Sequence, residues 1–272
     1  MSVLVVVQAR TGSTRLPGKV LLPLAGKPLL ERMLERLRAV RSQFELVVAT
    51  TTDASDDPVA ELAAHTGTRV HRGHPTDLLD RHVQAARASN ADTVVKIPSD
   101  CPLIAPEVVE RVLGAWHERR AAERLDFLSN LHPATYPDGN DVEVVTRDAL
   151  ETAWREAKRP YEREHTTPFV WDRPERFRVG NVTWETGLDY ANSHRFTIDY
   201  PEDYALIAAV YDALCTPERP VFSLAQILEL VGARPQLLEL NARYHGTSWF
   251  QKHWSELKTA STLGMDPGVT TE

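Results

Sequence analysis

VLVVVQARTGSTRLPGKV, residues 3–20, joins an apolar run to a basic turn, and the fold class follows from how that junction is read. Val3 to Val7 are all valine or leucine, with no apolar–polar alternation. A strand of that kind is covered on both faces, as in the middle of a parallel sheet. The turn that follows carries Arg10, Gly12, Arg15, Gly18 and Lys19. A Walker loop needs four residues between its first glycine and its Gly-Lys pair, then Ser or Thr. Here five residues, Ser13 to Pro17, separate Gly12 from Gly18, and Val20 follows Lys19. A dinucleotide fingerprint is also absent, because the chain has no G-x-G. Two readings stay open: solvated cations around glycines that only shape a turn, or a phosphate-facing loop of another kind. Arg10, Arg15 and Lys19 would face a triphosphate, with Gly12 and Gly18 permitting close backbone approach.

Outward from this junction, strand and helix alternate to about residue 130. Pro28 opens a helix with Leu29, Leu30, Met33, Leu34 and Leu37 on one face. FELVVAT (44–50) is a second buried strand, and DDPVAELAAHTG (56–67) a helix with Asp57 as N-cap and Gly67 as its stop. RVH (69–71) is a third strand, PTDLLDRHVQAARASN (75–90) a helix capped by Thr76, and DTVVKI (92–97) a fourth strand. PSDCPLIAPEVVERVLGAW (98–116) is a loop and a helix. This order predicts an α/β fold with a doubly wound, mostly parallel sheet. Residues 131–195 mix short strands (DVEVVT, FRVGNVTW) with helices (RDALETAWREA, YEREHTTPFVW), as a small α+β insertion for acceptor contacts or a subunit interface. RFTIDYPEDYALIAAVYDAL (195–214) returns to strand and helix. The expected division is a domain over 1–215 and a helical C-terminal extension over 216–272. In the extension, SLAQILELVG (223–232) has a Ser223–Gln226 capping box and Gly232 as its stop. From about Leu257 the chain is small and polar, and is expected to fray.

Ligands of open α/β sheets bind beyond the carboxyl ends of the strands. Asp100 follows one expected strand, and Asp199 ends another, Phe196–Ile198. Each alone also reads as a helix cap or turn former. Together, with phosphate oxygens and water, they suit Mg²⁺, which takes few protein ligands.

The net charge of −7 argues against a general nucleic-acid binder but not against a nucleotide site. Cys101 and Cys215 form neither a disulfide framework nor a metal-ligand spacing. The apolar runs are too short for a membrane span or a signal peptide, so the expectation is a cytoplasmic protein with no membrane partner. ARYHGTSWFQKHW (242–254) is rich in aromatics and histidine at no metal spacing, and is expected to serve packing or subunit contact.

QARTGSTRLPGKVLLPLAGKPLLERMLERL (8–37) closely resembles the N-terminal signature of the cytidylyltransferases grouped with spore coat polysaccharide biosynthesis protein F. It is also similar to the opening of enzymes that activate 3-deoxy-octulosonate and sialic acids as CMP-sugars. HPTDLLDRHVQAA, SDCPLIAPEVV, YPDGNDVEVVTRDALETAW, RPYEREHTTPF and FTIDYPEDYALI match in order. The resemblance implies a GT-A-like nucleotidyltransferase fold, a homodimer, and transfer of CMP from CTP to a small acceptor with Mg²⁺ as cofactor. It implies nucleotide contacts among Gln8, Ala9, Arg10, Gly12, Ser13, Arg15, Lys19, Asp77, Arg81 and Ser99. Arg15, Lys19, Asp100 and Asp199 would be catalytic, the two aspartates as metal ligands. Asp138, Asp141, Glu143, Arg163 and His165 would face the acceptor. Ser99 departs from the Gly-Asp common in that family, which matters only if its φ is positive. Other function classes stay open: UTP or ATP in place of CTP, a non-catalytic subunit, or a related glycosyltransferase, though the chain lacks a D-x-D triplet.

Overall fold

A computed structural model describes residues 2–259. Nine strands occur in it: β1 Val3–Gln8, β2 Pro23–Leu24, β3 Lys27–Pro28, β4 Glu45–Thr51, β5 Arg69–Gly73, β6 Thr93–Pro98, β7 Phe127–Ser129, β8 Glu143–Thr146 and β9 Val179–Asn181. Seven form one sheet in the order β5-β4-β1-β6-β8-β7-β9, and β2 and β3 form a separate hairpin. β5, β4, β1 and β6 run parallel, and β8 lies antiparallel between β6 and β7.

The helices are α1 Leu29–Arg38, α2 Asp57–His65, α3 Leu78–Ala88, α4 Pro106–Glu123, α5 Arg147–Glu156, α6 Pro160–His165, α7 Pro168–Trp171, α8 Pro201–Leu214, α9 Leu224–Ala233 and α10 Gln236–Glu239. β1 shows why both faces are covered. Val5 and Val7 pack with Leu30, Met33 and Leu34 of α1 and with Val112 and Trp116 of α4. Leu4 and Val6 point the other way, onto Leu79 and Val83 of α3 and Leu150 of α5. A period of two thus divides an unbroken apolar run between two cores. A third core joins Leu29, Phe196 and Ile198 to Ile207 and Val210 of α8 and to Ile227 and Val231 of α9.

Several local expectations change. Asp56 rather than Asp57 precedes α2, and Asp77 rather than Thr76 caps α3, accepting from the Asp80 amide at 2.9 Å. Gly232 lies inside α9, whose C-cap is Arg234. YEREHTTPFVW is not one helix. It breaks at Thr166, at φ 73°, into α6 and α7, and Pro168, which has no N–H to continue the α6 ladder, opens α7. Residues 196–198 form no ladder strand; only Arg195 bridges, to Asp138. Leu257 is buried, and the Lys258 and Thr259 amides donate to Asp172, so the chain is docked rather than frayed there. The rest of the expected fray, residues 260–272, lies outside the described residues.

Candidate active site

The turn after β1 is anchored at its start and closed on itself. Buried Asp56 accepts from the Thr11 amide at 2.7 Å and the Thr11 hydroxyl at 2.8 Å, and Thr51 donates to its other oxygen. The Gly18 amide returns to the Thr11 carbonyl at 2.9 Å. Gly18 has φ 67°, a conformation that favours glycine. Gly12 is not at positive φ, and a Cβ there would meet no other protein atom within 4 Å. Lys19 then begins a 3₁₀ turn, Lys19–Leu21, that aims its side chain across the edge of the sheet.

Lys19 Nζ donates to Ile198 O at 2.6 Å and to Asp199 Oδ1 at 3.0 Å, and lies 3.7 Å from Asp100 Oδ2. The two carboxylates, 99 positions apart in the chain, therefore share one ammonium. Arg15 reaches the same Asp199 oxygen at 2.7 Å, and its guanidinium lies 5.2 Å from the centre of the Tyr200 ring. Asp100 stands two residues past the end of β6. Its carbonyl accepts from the Ile198 amide at 2.8 Å, which brings the 196–199 segment to the end of β6 without a ladder strand.

Asp138 joins this cluster from the other side. Its carbonyl accepts from the Phe196 amide at 2.8 Å, and its carboxylate pairs with Arg195 at 3.1 Å. The close approach depends on Gly139, at φ 96°. A Cβ there would lie 2.5 Å from the Phe196 carbonyl carbon. Arg195 is buried and also binds Asp199 at 3.2 Å and Asp203 at 3.0 Å. Burial raises Asp199, but Lys19, Arg15 and Arg195 outweigh it and hold the carboxyl below its ordinary range. Burial and the neighbouring Asp141 push Asp138 well up, and burial and Asp100 push Asp141 up to about 7. Lys19, Arg15 and Arg195 thus face Asp100, Asp138, Asp199 and Asp203, with Asp141 beside them, and this crowding of buried acids favours the protonated form of Asp138 and Asp141. Among the described residues no three or more His, Cys, Asp or Glu side chains form a group that could hold a metal by themselves. Two carboxylates in an acidic, partly buried cluster do suit a hard cation whose remaining ligands are phosphate and water.

The other expected contacts divide. Arg10 is exposed, Ala9 and Ser99 are buried, and the Gln8 side-chain carbonyl is buried without a partner at the end of β1. Ser13 Oγ accepts from the Leu16 amide at 3.3 Å. Ser99 is not among the positive-φ residues, so the substitution for glycine strains nothing. Arg81 is buried and occupied by the carbonyls of His74 at 2.8 Å and Pro75 at 3.0 Å; burial and Arg10 lower it to about 10. Asp77 pairs with Arg163 at 2.5 Å, tying α3 to α6. Of the expected acceptor residues, Asp138 and Asp141 reach the cluster. Glu143 is instead paired with Lys96 inside the sheet and accepts from Thr167. His165 stacks on Trp249 at 3.8 Å, and burial lowers it to about 3. The expected packing role of 242–254 is therefore met within this chain.

Arg195, Asp203 and Asp56 were not foreseen. Asp203 is the N3 residue of a capping box at Tyr200, and Arg195 stands four residues before Asp199, so a search for cap and ion-pair spacings around Asp199 would have reached both. Asp56 gives no comparable signal, because Thr11, whose amide and hydroxyl it holds, is 45 positions away.

Comparison with known proteins agrees with this fold. The profile described as "Cytidylyltransferase" matches residues 4–231. The spore coat polysaccharide biosynthesis protein SpsF of Bacillus subtilis is 31% identical over 238 residues, 86% of this chain and 95% of that protein. A 3-deoxy-manno-octulosonate cytidylyltransferase of Geobacter sulfurreducens is 34% identical over 152 residues, 54% of this chain and 58% of that protein. A solved cytidylyltransferase from Leptospira borgpetersenii superposes with a TM-score of 0.81 at 34% identity, covering 88% of this chain and 97% of that one. No helix among the described residues is long and apolar enough to cross a membrane.

Proposed function

This chain belongs to the cytidylyltransferase family, and from that premise we propose that it transfers CMP from CTP to an oxygen of a small acceptor, releasing pyrophosphate. The observation that carries the reading is the meeting of Lys19 with Asp100 and Asp199 at the carboxyl edge of the sheet, beside Arg15. The acceptor oxygen attacks the α-phosphorus, an O–P bond forms, and the bond to the β-phosphate oxygen breaks with its electron pair leaving on pyrophosphate. A hydroxyl acceptor also gives up a proton; an ionised phosphate or phosphonate has none to lose.

Asp100 and Asp199 would hold Mg²⁺, which supplies charge neutralisation at the phosphates. Lys19 already provides a cation between those carboxylates. With nucleotide bound, Lys19 and Arg15 turn to the phosphate oxygens and stabilise the leaving group. Catalysis of this kind rests on positioning and fixed charge.

A pyrophosphate-release assay tests this, run with CTP, UTP, ATP and GTP against sugar acids, amino sugars, alditol phosphates and phosphonates. Release with CTP and at least one acceptor supports the reading. Preference for another nucleotide refutes the base assignment, and no release with any pair refutes the activity.

A further inference from the structure

The C-terminal extension returns to the active site at residues 241–247, where it touches groups standing behind the functional side chains. Asn241 is fully buried, and its Nδ2 donates to Arg195 O and to Asp203 Oδ1, each at 2.9 Å. The other Asp203 oxygen accepts from the Asp199 amide at 2.9 Å and the Tyr200 amide at 3.0 Å. One carboxylate thus links the extension to the backbone that presents Asp199. Arg195, bound to the same Asp203, also reaches the Asp199 carboxylate, and the Thr247 hydroxyl lies 3.5 Å from its Nη1.

A second chain of contacts leads to Arg15. The Tyr244 ring stacks on Tyr200 at 3.8 Å with 3° between the planes, and Tyr200 in turn carries the Arg15 guanidinium. Arg243 pairs with Glu202 beside this stack. Arg15 is long and its side chain is 47% exposed, so a fixed ring under it limits where the charge sits. Neither Asn241 nor Tyr244 contacts a catalytic side chain directly.

On the functional reading above, we infer that Asn241 and Tyr244 are positioning residues. Asn241 sets the Asp199 carboxylate through Asp203 and Arg195, and Tyr244 sets Arg15 through Tyr200. The competing account is that both merely attach the extension to the domain. The two accounts differ in ligand binding by protein that is still folded.

The experiment compares the full chain with Asn241→Ala, Tyr244→Ala and Tyr244→Phe. CTP binding in Mg²⁺ is measured by calorimetry, Mn²⁺ binding to the CTP-loaded protein by electron paramagnetic resonance, and folding by thermal melting. Asn241→Ala is expected to weaken Mn²⁺ binding about tenfold, as loss of an outer partner of a ligand does. Tyr244→Ala is expected to weaken CTP binding about fivefold, and Tyr244→Phe, which keeps the stack, to restore it. Lower melting temperatures with Mn²⁺ and CTP affinities at wild-type values would overturn the inference. Should Asn241→Ala fail to fold, Asn241→Ser takes its place with the same Mn²⁺ readout, while the two Tyr244 variants decide the Arg15 arm. Wild-type protein that does not bind CTP overturns the functional reading instead, and this inference with it.

Discussion

Lys19 and Asp199 stand 180 positions apart in the chain and meet at 3.0 Å. That contact joins the first loop of the sheet to the segment before α8, and it encloses Asp100 at the end of β6. Replacing Lys19 by Ala removes the cation that both carboxylates share. Turnover is expected to fall by about 10²–10³-fold, the usual cost of one preorganised charge at a transition state. Steady-state pyrophosphate release beside a melting curve checks this. A loss of less than about threefold would place Lys19 outside the chemistry.

Gly139 is the one glycine of this site whose Cβ would strike backbone. Gly139→Ala must move Phe196 and Thr197 and adopt a positive φ as well. We expect a destabilisation of about 3 kcal/mol or more and loss of activity, because Asp199 follows directly on this segment. Urea denaturation of the variant against wild type measures the first, and the release assay the second.

Glu143 and Lys96 form a buried pair across β8 and β6. Glu143→Gln leaves an ammonium uncompensated and should cost about 3–5 kcal/mol. The double variant Lys96→Met, Glu143→Leu should recover much of that loss. If Glu143 instead bound the acceptor, Glu143→Gln would raise the acceptor KM with stability intact.

His132 is buried, and burial lowers it to about 4, with Lys96 opposing protonation and Glu143 favouring it. The unfolded chain, with an ordinary value of 6.5, binds the proton first. Stability is therefore complete above pH 6.5 and falls as pH drops from 6.5 to 4, by up to about 3 kcal/mol from this residue. His82, lowered to about 3 by burial, adds loss of the same sign. His132→Phe should flatten the pH dependence of urea midpoints over that range; an unchanged slope would show that His132 does not contribute.

Much of this was legible in the sequence because the signals were local. The unbroken Val3–Val7 run gave the central parallel strand, and helical spacing gave α1. Asp100 and Asp199 stand out in the sequence by their places after apolar segments. The 196–198 segment leading to Asp199 departs from the expected strand, since it is held by carbonyls of Asp100 and Asp138 and not by a ladder. Glu143 and His165 looked like ligand groups because their partners are distant in sequence. Lys96 faces Glu143 only through strand register, and Trp249 reaches His165 only after the extension folds back. Asn241 was hidden for the same reason, since it meets Arg195 and Asp203 across 46 and 38 positions, and periodicity carries no trace of it.

The central claim is that one centre, built from the 9–19 loop, Asp100 and Asp199, takes a nucleoside triphosphate with its divalent cation. A crystal structure with CTP and Mn²⁺, read from the anomalous signal of the manganese, tests it most directly. The account predicts a manganese peak ligated by both Asp100 and Asp199, with Lys19 and Arg15 turned onto the triphosphate. A peak ligated by neither aspartate, or a triphosphate bound away from the loop, would contradict it.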